Sequence, residues 1–151
     1  MKINFDGATF KDINKAGLGV VIRDGFGQVL ASLLEQIQLP FSLNLVEAMA
    51  AARALSFAAK LGFSRFVLEG DSELIIKAPQ NKEDSLAPFG HILAAVKTST
   101  DINCISFSHI RRLGNSVAYN LAKYARHVAD LKVWMEDVPP HLYFVLLTDY
   151  G

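Results

Sequence analysis

Apolar and polar positions alternate from the start of the chain. Ile3 and Phe5 are interleaved with Lys2, Asn4 and Asp6, the period of a strand with one buried face, over residues 2–8. Residues 9–16, with Lys11, Asp12, Asn14 and Lys15, read as a polar loop. Gly17 to Arg23 is predicted as a second strand. Asp24-Gly25-Phe26-Gly27 reads as a turn of the kind that joins antiparallel strands, and Gln28 to Ile37 as a third strand. Pro40 ends this β section. From Ser42 to Leu61 the period changes to helical: Val46, Met49, Arg53 and Phe57 form one stripe, flanked by Ala50, Ala54, Ala58 and Leu61. Gly62 closes that helix as a C′ residue. Phe66-Val67-Leu68 is apolar without a break, as in a strand covered on both faces. It stops at Gly70 and is followed by a helix predicted from Asp71 to about Ala78. A loop over 79–85, a helix from Leu86 to Lys97, a strand from Asn103 to His109 and a helix from Asn115 to about Val128 complete the series. The tail from 131 to 151, with Trp134 and Leu142 to Leu147, is expected to dock on this body. The order implies an α/β fold in one domain: a five-stranded mixed sheet with helices on both faces.

Composition restricts the classes open to such a chain. It has 151 residues, 51% hydrophobic and 20% charged, enough for one packed core. No apolar run approaches the roughly 18 residues of a membrane span, and no signal-peptide pattern opens the sequence. Cys104 is the single cysteine, which excludes an internal disulfide and fits a reducing, intracellular setting. Formal net charge is zero, which argues against a strong sequence-independent nucleic-acid binder but not against a local basic patch.

The chemistry sits in the acids. Asp6 falls at the expected end of the first strand, Asp71 just past the strand ending at Gly70, and Glu47 early in the first helix, on its alanine-rich side. Each has a structural role open to it when taken singly. Asp6 can serve a turn, Asp71 can cap a helix, and Asn44 with Glu47 can form a capping box. Together they change meaning. Three carboxylates within a few Å repel unless cations neutralise them, and oxygen donors suit magnesium or manganese.

Asp6-Gly7-Ala8, Gly17-Leu18-Gly19, Glu47-Ala48-Met49-Ala50-Ala51, Gly70-Asp71-Ser72, His109, and Asn115 with Leu121-Ala122 resemble the ribonuclease H family in order and spacing, over nearly the whole chain. Val20 to Asp24, Glu69 to Ser72 and Trp134 to Pro139 resemble in particular its reverse-transcriptase-associated branch of plant genomes and retroelements. The resemblance implies metal-dependent, endonucleolytic hydrolysis of the RNA strand of an RNA–DNA hybrid, with two Mg2+ (or Mn2+) ions bound when substrate is present. It carries Asp6, Glu47 and Asp71 onto three of the family's four acids, and His109 onto a histidine that assists proton transfer or product release. The fourth acid falls at Tyr119, a neutral phenol near pH 7 and a poor ligand for magnesium. That departure opens a second reading, a degenerate nucleic-acid-binding or protein-interaction module of the same fold. A larger parent polypeptide fits the resemblance as well.

Other side chains carry two readings each. Arg111 and Arg112 either grip phosphates or are solvated loop charges. Asn14, Asn44 and Asn115 are candidates for contact with a hybrid's minor groove. His109 is also readable as a strand-end histidine bonded to a loop. Glu69 either extends the acidic cluster or pairs with Arg65 or Arg23. His91, His127 and His141 have no ligand spacing.

Overall fold

A computed structural model describes residues 1–71 and 104–148. The helix expected at 71–78, the loop at 79–85, the helix at 86–97, His91 and Ser72 lie outside the described residues. Strands β1 (Lys2–Phe10), β2 (Lys15–Arg23) and β3 (Val29–Gln38) form an antiparallel meander. Helix α1 (Leu43–Lys60) leads to β4 (Arg65–Gly70), and β5 (Cys104–His109) precedes helix α2 (Ser116–Tyr124). The chain continues through β6 (Leu131–Met135) to a short helix α3 (Tyr143–Thr148).

The sheet order is β5-β4-β1-β2-β3-β6. Strand β4 runs parallel to β1 and to β5, whereas β6 runs antiparallel to β3. Against the expected five strands, six are present among the described residues. Leu131–Met135, expected within a docking tail, extends the sheet beyond β3 because Ala31 to Glu35 offers it a pairing edge. Residues 9–16 are also less loop-like than expected. Hydrogen bonding carries β1 to Phe10 and starts β2 at Lys15, and the reversal is confined to a 3-10 turn at Lys11–Ile13 and a left-handed Asn14.

Alternation along the strands divides the core. Ile3, Phe5, Leu18, Val20, Ile22 and Leu33 pack with α1, while Val21 and Leu34 pack with α2 and with Val138 and Leu142. Ala50, Ala51, Ala54 and Ala58 are fully buried, so α1 approaches the sheet through its smallest residues. The approach of α2 is closer still. A Cβ on Gly17 or Gly19 would run into the carbonyl oxygens of Ala122 and Ala118. Two glycines on β2 thus let the α2 backbone rest on the sheet, and α2 carries Tyr119 toward the strand ends described next.

Candidate metal centre and nucleic-acid groove

Asp6 is not at a strand end. It lies mid-strand in β1, opposite Gly19, two residues beyond the last β1–β4 pair, Asn4 with Glu69. Its side chain therefore emerges where the parallel ladder stops. Asp71 follows β4 directly. Gly70 is needed there because a Cβ would meet the Phe5 ring at 2.6 Å. Glu47 is in the second turn of α1, whose N-cap is Ser42. That register removes the capping-box reading of Asn44 and Glu47, since both are already inside the helix.

The three acids converge. One carboxylate oxygen from each of Asp6, Glu47 and Asp71 lies within 4.8 Å of the others. The Gly7 N–H donates to Asp6 Oδ1 at 2.8 Å, whereas Asp6 Oδ2 and Glu47 Oε2 are buried and meet no hydrogen-bond donor among the described residues. Burial, and next the Asp71 carboxylate, push the Asp6 pKa up to about 7. Burial, and then Asp6 and Asp71, push Glu47 up to about 9. Two orphaned oxygens in an all-carboxylate group are what a hard divalent cation would satisfy. The residues present fit such an ion.

A cationic side chain enters the same cluster. Arg112 Nε lies 3.1 Å from Asp71 Oδ2, and its guanidinium carbon is 4.3 Å from the centroid of the Tyr119 ring. The amide of Ile110 donates to the Gly70 carbonyl at 2.9 Å, which ties the Arg111-bearing loop to the end of β4. His109, at the end of β5, is exposed, with Nε2 3.2 Å from the Asp71 carbonyl oxygen. Glu69 stays out of the cluster. It accepts from Asn4 Nδ2 at 3.1 Å and faces Lys2 Nζ at 3.8 Å, so Lys2 is a charged partner that the sequence reading did not name.

The three asparagines separate. Asn14 is exposed at the β1–β2 reversal, and Asn44 is exposed beside Glu47. Asn115 is fully buried, donates to the Phe5 carbonyl at 2.9 Å and accepts from Asn4 Nδ2 at 3.0 Å. Its amide anchors the start of α2 to β1 and faces inward, so it offers a bound duplex no direct contact. Arg111 is exposed on the loop.

A groove of about 580 Å³ opens beside the acids, bounded by Gly7 to Phe10, the first turns of α1 and one side of α2. Lys123, Arg126 and His127 line it with Glu47, Arg112 and Tyr119. The sequence reading missed Lys123 and Arg126. The available signal was helical spacing, because Lys123 is four residues after Tyr119 and shares its face. Arg126 also makes a two-pronged pair with Asp12, with one arm at 2.8 Å.

Among the described residues no helix is long and apolar enough to cross a membrane. The sequence profile of the family described as reverse transcriptase-like matches residues 4–125. No curated protein sequence matches the chain. Among solved structures, ribonuclease H1 from the halophilic archaeon Halobacterium salinarum is 30% identical, with a TM-score of 0.74, covering 85% of this chain and 98% of that one. LC11-RNase H1, solved in complex with an RNA/DNA hybrid, is 32% identical with a TM-score of 0.68, covering 82% and 94%. The foamy virus protease-reverse transcriptase bound to RNA/DNA hybrid shares the fold at 15% identity and a TM-score of 0.64, over 84% of this chain and 20% of that one. The chain belongs to the reverse transcriptase-like family and has the ribonuclease H fold.

Proposed function

We propose that this domain binds RNA–DNA hybrid in the groove beside Glu47 and hydrolyses its RNA strand at the Asp6–Glu47–Asp71 cluster. The observation that carries the reading is the convergence of three carboxylates, two of whose buried oxygens meet no donor among the described residues. LC11-RNase H1, a third identical over most of its length, supports the choice of ligand. Divalent magnesium or manganese would supply an activated water and charge stabilisation at the leaving oxygen, and the resemblance to the family sets two ions as the upper count. Asp6, Glu47 and Asp71 would hold them, with Asp6 steadied by the Gly7 amide. His109, exposed next to Asp71, would move a proton in this reading, which its contact with the Asp71 carbonyl supports. Arg111 and Arg112 take phosphates, and Asn14 and Asn44 face the hybrid's sugars. The resemblance of Val20 to Asp24 and of Trp134 to Pro139 to the plant and retroelement branch, and the foamy virus match to one fifth of a longer chain, support a larger parent polypeptide.

Tyr119 favours a second reading. It stands where the resemblance places a fourth acid, and a cation already pairs with Asp71. A domain that binds hybrid without cutting it fits those two facts. Incubation of a labelled hybrid with the protein and Mg2+ separates the two. Cleavage that stops on chelation and in Asp71→Asn supports the hydrolase. A bound but intact hybrid overturns it in favour of the binding module.

A further inference from the structure

Arg112 belongs to none of the roles a solvated loop charge would play. Its Nε pairs with Asp71 Oδ2 at 3.1 Å, and its guanidinium carbon lies over Tyr119, 4.3 Å from the ring centroid. Asp71 is itself mostly enclosed, its side chain 12% exposed, while Arg112 remains 58% exposed. One side of the guanidinium is therefore fixed by a carboxylate and an aromatic face, and another is open to the groove that Glu47, Tyr119 and Lys123 also line. Arginine is suited to this arrangement. It stays charged at any working pH, stacks on aromatic rings, and its planar fork matches phosphate. Among the described residues the cluster has three carboxylates, and Tyr119 stands where the resemblance leads one to expect a fourth acid. The cluster thus has less negative charge to attract a second divalent ion, and one positive charge already in place.

We infer that Arg112, braced on Tyr119 and paired with Asp71, takes the place of a second metal ion, so that the acid cluster holds one divalent cation and Arg112 presents the other positive charge to the hybrid's phosphate. The inference rests on the metal-site reading above and narrows it from two ions to one. Arg112 and Tyr119 act as a unit: the ring fixes the guanidinium over Asp71, and the guanidinium makes a neutral phenol acceptable at that position.

The test counts bound Mn2+ per chain by electron paramagnetic resonance in the complex with an uncleavable hybrid analogue, and measures the affinity for that analogue at saturating Mn2+. Wild type binds one ion; the pair Arg112→Ala with Tyr119→Asp, which restores an acid and removes the cation, binds two. Arg112→Ala alone weakens hybrid binding at least tenfold, and Arg112→Lys recovers part of that loss. Two ions on wild type, one ion on the double variant, or unchanged hybrid affinity in Arg112→Ala overturns the inference. No Mn2+ on wild type overturns it together with the metal-site reading. One ion on wild type and two on the double variant, with natural hybrid left uncut, supports the inference and removes the hydrolase reading alone.

Discussion

Glu47 is held in the least favourable protonation environment of the site, because burial and two neighbouring carboxylates all oppose its charge. A carboxyl whose pKa is raised on folding, here from 4.5 to about 9, contributes stability at low pH that is lost as pH rises through that window. Asp6, raised to about 7, acts in the same direction. The metal-free protein is therefore expected to melt at progressively lower temperature from pH 5 to pH 9. Glu47→Gln should flatten the profile and raise the melting temperature at pH 8, and saturating Mg2+ should do so for wild type, both read by calorimetry. A profile that rises with pH would contradict the electrostatic account. These acids were legible in the sequence because residue type and local pattern point to them. The Arg112–Asp71 pair was not, since it joins positions 41 residues apart whose approach no local pattern fixes. Asn115 was misjudged for a related reason. A polar residue before a helix reads as exposed, and only the packed fold reveals that Asn4 and the Phe5 carbonyl take its amide inward.

At the scale of elements, the seating of α2 on β2 sets where Tyr119 and Arg112 stand. Gly19→Ala would push a methyl group into the α2 backbone at Ala118. Overpacking of this kind costs about 1–3 kcal/mol, and urea denaturation should show that loss. Lifting α2 also moves Tyr119 from beneath Arg112, so hybrid affinity should fall with stability. A Gly19→Ala protein as stable as wild type would mean that α2 is free to shift. The helical period of α1, the alternation in β1 and the glycine turn between β2 and β3 made those elements readable. Strand β6 was not, because Leu131–Met135 is too short and too exposed to signal itself. Its pairing is set by the open edge of β3.

Across the whole molecule, zero net charge means that no broad positive field draws in a polyanion. Among the described residues, the cations around the groove that can hold a hybrid are Arg112, Lys123 and Arg126 with Arg111 nearby, and Arg126 is partly committed to Asp12. With about three phosphates neutralised, log affinity should fall with log salt at a slope of about −3, shallow for a nucleic-acid binder. Lys123→Ala should reduce that slope by about one. A much steeper dependence would place the hybrid on some other surface.

The central claim is that the Asp6–Glu47–Asp71 cluster cuts the RNA strand of a hybrid. A single-turnover assay in Mg2+ on a hybrid labelled on both strands tests it most directly, with wild type and Asp6→Asn side by side. The account predicts cleavage of the RNA strand alone by wild type and at least about a hundredfold slower cleavage by Asp6→Asn, equivalent to about 2.7 kcal/mol of lost transition-state stabilisation. An RNA strand left intact by wild type, or cut equally fast by Asp6→Asn, would contradict it.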